Sequence, residues 1–334
     1  MAFLIQQTII YTIPLIIVAL AGVFAERSGV INLALEGIMI IGAFVGAWFI
    51  RTIQGTGFDS DNAQWLLILA MLVTAAAGAL FSLLLSFSAI TMKADQTIGG
   101  TALNLLAPAI TLFLINILFK QNTLNLLYDA PSWFMIFKTD FGFERTDELP
   151  LVGEVLLNKT YLTTYLGILI YVILSIILYK TKFGLRLRAC GEHPQAADSV
   201  GINVYRMRYI GTTISGALAG MGGFIYALTT SNGASNGDVA GFGFLALAVM
   251  IFGNWKPLNI AVVGTMFGLL KCVAACSSTL DINGDGVYAL ANLGISNYWF
   301  NMLPYVITLV VLAFTSKKSR APKAEGIPYD KGSR

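Results

Sequence analysis

The sequence predicts an all-α, polytopic membrane protein with about nine transmembrane helices, and three observations carry that reading. Of its 334 residues, 56% are hydrophobic and only 12% charged, with a mean hydropathy of +0.74; ordinary soluble domains carry roughly 25% charged residues. Stretches such as Phe3 to Ala25, Trp65 to Phe87 and Tyr161 to Tyr179 are almost free of charge. They reach the roughly 20 residues that a helix rising about 1.5 Å per residue needs to cross about 30 Å of hydrocarbon. Basic and acidic connections also alternate along the chain, as loops on two sides of a membrane do.

In order, crossings are expected at Phe3 to Ala25, Gly29 to Ile50, Trp65 to Phe87, Thr97 to Phe119, Tyr161 to Tyr179, Tyr209 to Leu228, Asn236 to Gly253, Leu258 to Ser277 and Asn301 to Phe314. The first is read as a span, not a removable leader, because Met1 to Tyr11 has no Lys or Arg and the apolar run outlasts a signal peptide. The seventh holds only about 15 strongly apolar residues, or about 22 Å of helix, so a half-helix that turns back competes with a full crossing.

Charge decides between them. Lys180 to Arg208 holds six Lys or Arg against two acids, and Ser316 onward again six against two, whereas Lys120 to Thr160 holds four bases and six acids. Basic loops stay in the cytoplasm, so an even number of crossings must separate the two basic segments. Counting the seventh gives four, with the N-terminus outside and the C-terminus, Glu26/Arg27 and Lys93/Asp95 inside. One transmembrane domain then covers residues 1–315. Residues 316–334, rich in Lys, Gly and Pro, are expected to be a disordered cytoplasmic tail in reach of anionic lipid.

Within the first basic segment runs GEHPQAADSVGINVYR, Gly191 to Arg206. Pro194 suits a first helical position and Gly201 the residue past a helix end. About seven residues, roughly 10 Å, lie between them. Such a helix spans nothing and belongs at the cytoplasmic surface. Ala196 and Ala197 open it to close approach, and Arg186, Arg188, Arg206 and Arg208 anchor its flanks to headgroups or an acidic partner. An ordinary basic loop is the competing reading.

QAADSVG, Gln195 to Gly201, resembles the E-A-A-x-x-x-G coupling motif of permease subunits in ATP-binding-cassette importers, with Gln for the leading Glu. Around it, GLRLRACGEHPQAADSVGINVYRMRY, ERSGVINLALEGIMIIGAF, SGALAGMGG, ALAVMIFGNWKPL and MLPYVITLV resemble the ribose, nucleoside and branched-chain amino acid branch of those permeases, its nucleoside-type members most closely. The resemblance implies a permease of the bacterial cytoplasmic membrane whose Glu192, Pro194, Gln195, Ala196, Ala197, Asp198 and Gly201 dock on a separate ATPase. It implies alternating access driven by that ATPase, a second permease subunit, and an extracytoplasmic binding lipoprotein that delivers nucleoside. Ribose or branched-chain amino acids are the alternative substrates.

The chain has no G-x-x-x-x-G-K-[S/T] phosphate loop and no Gly-Lys pair. It is therefore expected to bind no cofactor and catalyse no reaction, ATP and Mg²⁺ residing on the partner. A net charge of +3 is too small to point to nucleic acid. An ion-coupled secondary transporter would need intramembrane carboxylates, for which Glu36 is the candidate. A membrane enzyme would need a His, Asp or Cys cluster at depth.

Glu36 and Lys271 are ionisable residues inside expected spans. Each costs roughly 2.5 to 3.5 kcal/mol if it faces lipid, so they either face protein, where they could pair, or Lys271 snorkels to the outer headgroups. Asn32 and Glu36, four apart, are expected on one helix face. They either line the pathway or satisfy backbone at a helix break. Asn104, on a span with Gly99, Gly100 and Pro108, is either a pathway amide, joined by Phe242, Phe244 and Trp48, or interhelical glue. Phe242 stands where many nucleoside-type relatives carry Arg, which points to a different permease subunit as the partner.

Other motifs read as structure. Gly216 and Gly220 form a small-x-x-x-small pair for helix packing, and Cys272 and Cys276 are small packing residues, not ligands. His193 is a polar loop residue. Asp281 to Gly286 imitates a calcium loop but has Asn292 at its twelfth position, so it reads as an outer turn.

Overall fold

The computed structural model describes residues 2–56, 62–127, 130–144, 150–276, 297–315 and 320–332. The Asp281–Gly286 turn lies outside them. Among the described residues, seven helices are long and apolar enough to cross a membrane. These are α1 (Ala2–Glu26), α2 (Leu35–Gln54), α3 (Ala63–Ser86, prolonged by a wider turn over Phe87–Thr91), α4 (Gln96–Phe119), α7 (Leu162–Lys180), α10 (Val204–Thr229) and α12 (Pro257–Cys276). The shorter α11 (Phe242–Phe252) and α13 (Asn297–Thr315) complete the apolar set. α5 (Ala130–Trp133) and α6 (Leu151–Leu157) lie in the long connection after α4, and α8 (Lys182–Glu192) and α9 (Pro194–Ser199) lie between α7 and α10.

α1 is the axis of the bundle. From Thr12 to Glu26 every residue is buried, and α7, α10, α11 and α12 pack around it. Lipid offers no hydrophobic drive between helices, so close approach of backbones must supply the contact. α10 provides this with the expected small residues. A Cβ at Gly42 of α2 would overlap the Gly220 carbonyl, and one at Gly78 of α3 would overlap the Gly216 carbonyl. Substituting either would force apart the α2–α10–α3 stack.

Helix ends gather at two opposite poles. One pole joins the α1 end, the α3–α4 turn, α8–α9, the α11–α12 turn and the C-terminal segment. There Arg27 pairs with Glu192 at 3.2 Å, Lys93 with Asp330 at 3.3 Å, and the Trp255 indole donates to Glu26. The other pole holds the start of α1, whose Gln6 donates to the Glu154 and Asn158 carbonyls at 2.7 and 2.6 Å. Two small antiparallel pairings cover it, β1 (Leu124–Asn125) with β4 (Ala234–Ser235) and β2 (Met135–Ile136) with β3 (Thr160–Tyr161). Both basic segments thus occupy one pole, as the crossing parity requires.

Three expectations are corrected. The second helix begins at Leu35, not Gly29. α1 closes with Gly29 at φ +95°, its amide bonded to Glu26 O and the Val30 amide to Ala25 O, the left-handed stop that glycine permits, and the chain stays irregular through Ala34. Asn32 therefore shares no helix face with Glu36.

The seventh crossing is helical only from Phe242. At 11 residues α11 covers about 16 Å. The stretch from β4 to Gly241 is irregular, with Gly237 set against Leu112 and the Pro108 carbonyl of α4. Loop plus half-helix together make the passage.

The tail, expected to be disordered, is ordered over residues 320–332. Ala324 donates to Gly191 O at 2.8 Å, Arg320 N to Asn254 Oδ1 at 2.9 Å, and Tyr205 OH to Tyr329 O at 3.2 Å. Its polar composition hid this, because the partners of its backbone lie on α8, α10 and the α11–α12 turn, far off in sequence.

Candidate functional site

The first constellation surrounds the start of α11. Gly241 caps this helix at φ +72°, and the leading amides point into the bundle. The Glu36 carboxylate takes them, Oε1 accepting from Gly241 N at 2.9 Å and Oε2 from Gly243 N at 2.6 Å and Phe244 N at 3.3 Å. An acidic group at a helix N-terminus meets both its unpaired donors and its positive dipole end. Glycine is required at 243, because a Cβ there would overlap the Glu36 backbone.

Across the break, Tyr305 OH donates to Ala240 O at 3.0 Å. Lys271 Nζ donates to that carbonyl at 3.4 Å and to Tyr305 OH at 3.1 Å. The ammonium also lies 5.1 and 4.9 Å from the Phe242 and Tyr305 ring centres. Lys271 therefore neither pairs with Glu36 nor snorkels outward. A carbonyl, a hydroxyl and two ring faces replace its water shell.

The irregular run before α2 is satisfied by side chains of two other helices. Asn104 Oδ1 accepts from Gly37 N at 2.8 Å and its Nδ2 donates to Leu33 O at 2.7 Å. Asn32 Nδ2 donates to Ser215 Oγ at 2.8 Å while its Oδ1 accepts from Ala34 N at 3.1 Å. Ile31 N donates to Gln96 Oε1 at 2.7 Å. Gln96 and Ser215 were not singled out from the sequence. A Gln opening α4 and a Ser in a small-residue stripe carry no local signal of a partner more than 60 residues away.

The expected aromatic and amide cluster is not assembled. Phe242 is buried on Tyr226, ring centres 4.7 Å apart. Trp48 stacks on Phe44 at 5.6 Å, toward the far end of α2. Both ends of the Asn104 amide are occupied by backbone. Of this group Phe244, at 52%, and Trp48, at 38%, are exposed.

The second constellation is the α8–α9 loop. Thr181 caps α8, Pro194 opens α9, and Gly201 at φ +83° ends it. The loop is fastened inward at Gly191, where a Cβ would overlap the Arg27 carbonyl, and by the Arg27–Glu192 pair. Gln195, Ala196, Ser199 and Val200 face outward, Asp198 is half-buried, and Pro194 and Ala197 are buried. Only one of the two alanines is thus open to a partner.

The four arginines divide as well. Arg186 and Arg206 are exposed, and Arg188 lies 4.8 Å over the Tyr179 ring. Arg208 is no surface anchor. At 1% exposure it donates to Ile327 O at 2.8 Å, and holds down the C-terminal segment from within. Beside it, burial pushes the Cys190 thiol up to about 11.

A membrane-length bundle with a helix interrupted at depth and a short helix held rigidly outside it is the architecture of a transport subunit. Residues 4–312 match the family described as branched-chain amino acid transport system / permease component, and the chain belongs to that family. It is 40% identical to the guanosine ABC transporter permease protein NupQ of Bacillus subtilis, covering 100% of this chain and 98% of that one. It is 38% identical to the nucleoside ABC transporter permease protein NupC of Lactococcus lactis, over 98% and 96%. A further B. subtilis protein, the guanosine ABC transporter permease protein NupP, is 27% identical over 80% and 73%. No solved structure matches the chain.

Proposed function

We propose that this permease carries nucleosides inward across the bacterial cytoplasmic membrane, with its basic pole in the cytoplasm and ATP hydrolysed on a partner ATPase. The observation that carries this reading is the α9 surface, an exposed two-turn platform fixed to α1 through Gly191, Arg27 and Glu192. Full-length similarity to guanosine and nucleoside permeases supports the substrate class. The basic content of that pole supports the orientation.

The geometry suggests how force would travel. A push on α9 reaches the Arg27–Ala34 turn directly, and that turn leads into Glu36, which holds the start of α11. Tilting the turn would shift α11 relative to α12 and α13, where Phe244 offers an exposed aromatic face to a passing base. No step on this chain consumes nucleotide, so ATP and Mg²⁺ belong to the ATPase. B. subtilis has two guanosine permease proteins similar to this chain, which supports a pore built from two unlike permease subunits, supplied by a binding lipoprotein at the outer face.

Uptake of radiolabelled guanosine, ribose and leucine by cells with and without the gene tests the proposal. Loss of guanosine uptake alone is expected. Loss of ribose or leucine uptake instead would transfer the assignment to that substrate. Guanosine uptake that survives ATP depletion but collapses with the ion gradient would point to a secondary transporter.

A further inference from the structure

The broken start of α11 lies at membrane depth, yet part of it is open. Rising about 16 Å from the basic pole, α11 begins near the middle of a hydrocarbon layer about 30 Å thick. The irregular run before it rests through Gly237 on Pro108, at the centre of α4. Asn236, Asp238 and Ala240 of that run are nevertheless exposed, as is Tyr305 midway along α13, at 39%, with Lys271 of α12 half-buried beside it. Irregular backbone and charge at such depth are tolerated against protein or beside water, not against lipid. This face does not look into the bilayer.

Its hydrogen-bonding groups leave a donor over. The Glu36 carboxylate is occupied by three backbone amides, and Asp238 Oδ1 accepts from Ala240 N at 2.9 Å. Among the described residues Lys271 forms no ion pair. Its ammonium carries three N–H donors, of which one goes to Ala240 O at 3.4 Å and one to Tyr305 OH at 3.1 Å. Tyr305 OH gives its own proton to Ala240 O at 3.0 Å. One ammonium N–H and one phenolic lone pair remain, framed by the Tyr305 and Phe242 rings. That set suits a solute rich in acceptor oxygens and nitrogens, such as the ring carbonyl and ribose hydroxyls of a nucleoside.

We propose that the face formed by Asp238, Ala240, Lys271 and Tyr305 lines the aqueous translocation pathway, and that Lys271 and Tyr305 are the donor pair that meets the solute there. The position of the pathway rests on depth, exposure and charge; the identity of the solute rests on the nucleoside reading of this permease. A carbonyl or hydroxyl oxygen of the solute takes the spare ammonium N–H as it passes the break. Ala240 O and Tyr305 OH hold Lys271 in place before the solute arrives and after it leaves, so the charge is never bare. Weak, replaceable contact of this kind lets a solute enter and depart.

Two measurements on the importer assembled in cells test this. In the first, Tyr305→Cys is exposed to a water-soluble, membrane-impermeant thiol reagent, beside Leu169→Cys, an exposed apolar position of α7. The three native cysteines are buried, and the unsubstituted chain gives the background. Tyr305→Cys should react and Leu169→Cys should not; equal reactivity of the two overturns the pathway assignment. In the second, guanosine uptake is measured over a range of concentrations. Lys271→Met, which keeps the length and removes the charge, should raise KM about tenfold or more, and Tyr305→Phe, which keeps the ring, about three- to tenfold, with smaller changes in maximal rate. Lys271→Arg should restore most of the loss. A purely structural role would lower the amount of protein and leave KM where it was, so wild-type KM in both Lys271→Met and Tyr305→Phe overturns the donor pair. Labelling needs no substrate: a chain that labels at Tyr305→Cys but carries no guanosine would overturn the nucleoside reading and keep the pathway.

Discussion

Glu36 Oε2 lies 2.6 Å from the Gly243 amide although 207 residues separate them. This contact joins the start of α2, just past the turn that receives α8–α9, to the start of the half-helix α11. It makes a carboxylate at membrane depth a structural cap, and it removes the need to read Glu36 as an ion-coupling group.

Glu36→Gln should therefore act on stability first. A neutral amide replaces a charge-assisted acceptor of three backbone N–H groups, and turns its own NH₂ toward one of them. A loss of about 1–3 kcal/mol is expected, visible as a lower midpoint in thermal unfolding of the solubilised chain. An unchanged midpoint together with abolished uptake would show that the carboxylate acts on substrate and not on the fold.

Asn104→Leu leaves Leu33 O and Gly37 N without partners in a dry setting. The expected cost is about 2–5 kcal/mol over the two groups. Uptake per folded molecule, measured beside the amount of protein recovered, should stay close to wild type. A normal yield with altered substrate preference would instead make Asn104 a pathway amide.

The two alanines of α9 should behave differently. Ala196→Arg alters an exposed position, so a well-folded chain that no longer co-purifies with its ATPase is expected. Ala197 is 4% exposed, and Ala197→Arg should broaden the gel-filtration peak by forcing a charge into the loop's own packing. Normal ATPase capture by the Ala196 variant would remove this face from the docking surface.

Gly42→Ala places a methyl on the Gly220 carbonyl. Opening the α2–α10 contact should cost about 1–3 kcal/mol, read again as a shift in unfolding midpoint. Helix propensity alone would make Gly42→Ala stabilising by up to about 1 kcal/mol, so the two terms oppose each other. An unfolding midpoint raised by that full amount would mean that close backbone approach contributes nothing.

Span positions were legible because membrane-length apolar runs are a local property, and α3, α4, α7, α10 and α12 start and stop within a few residues of expectation. Pro194 and Gly201 marked α9 for the same reason, since both act on their own backbone. The α1–α2 turn was misjudged because apolar Val30, Leu33 and Ala34 look helical in isolation. What stops the helix is Gly29 together with Asn32, Gln96 and Asn104, three amides drawn from separate parts of the chain. The C-terminal strap was misjudged in the opposite direction, its order residing in Arg208, Gly191 and Asn254.

By itself, then, the sequence determined that this is a polytopic helical permease with a short presented helix, because hydropathy, charge parity and capping residues each operate over a few turns of chain. Only the tertiary structure decided what the polar residues at depth do. Where no water is available, each donor and acceptor must find its partner within the protein. Glu36 with Gly243, Asn104 with Leu33, Lys271 with Ala240 and Arg208 with Ile327 are pairings that only the packed bundle brings within reach.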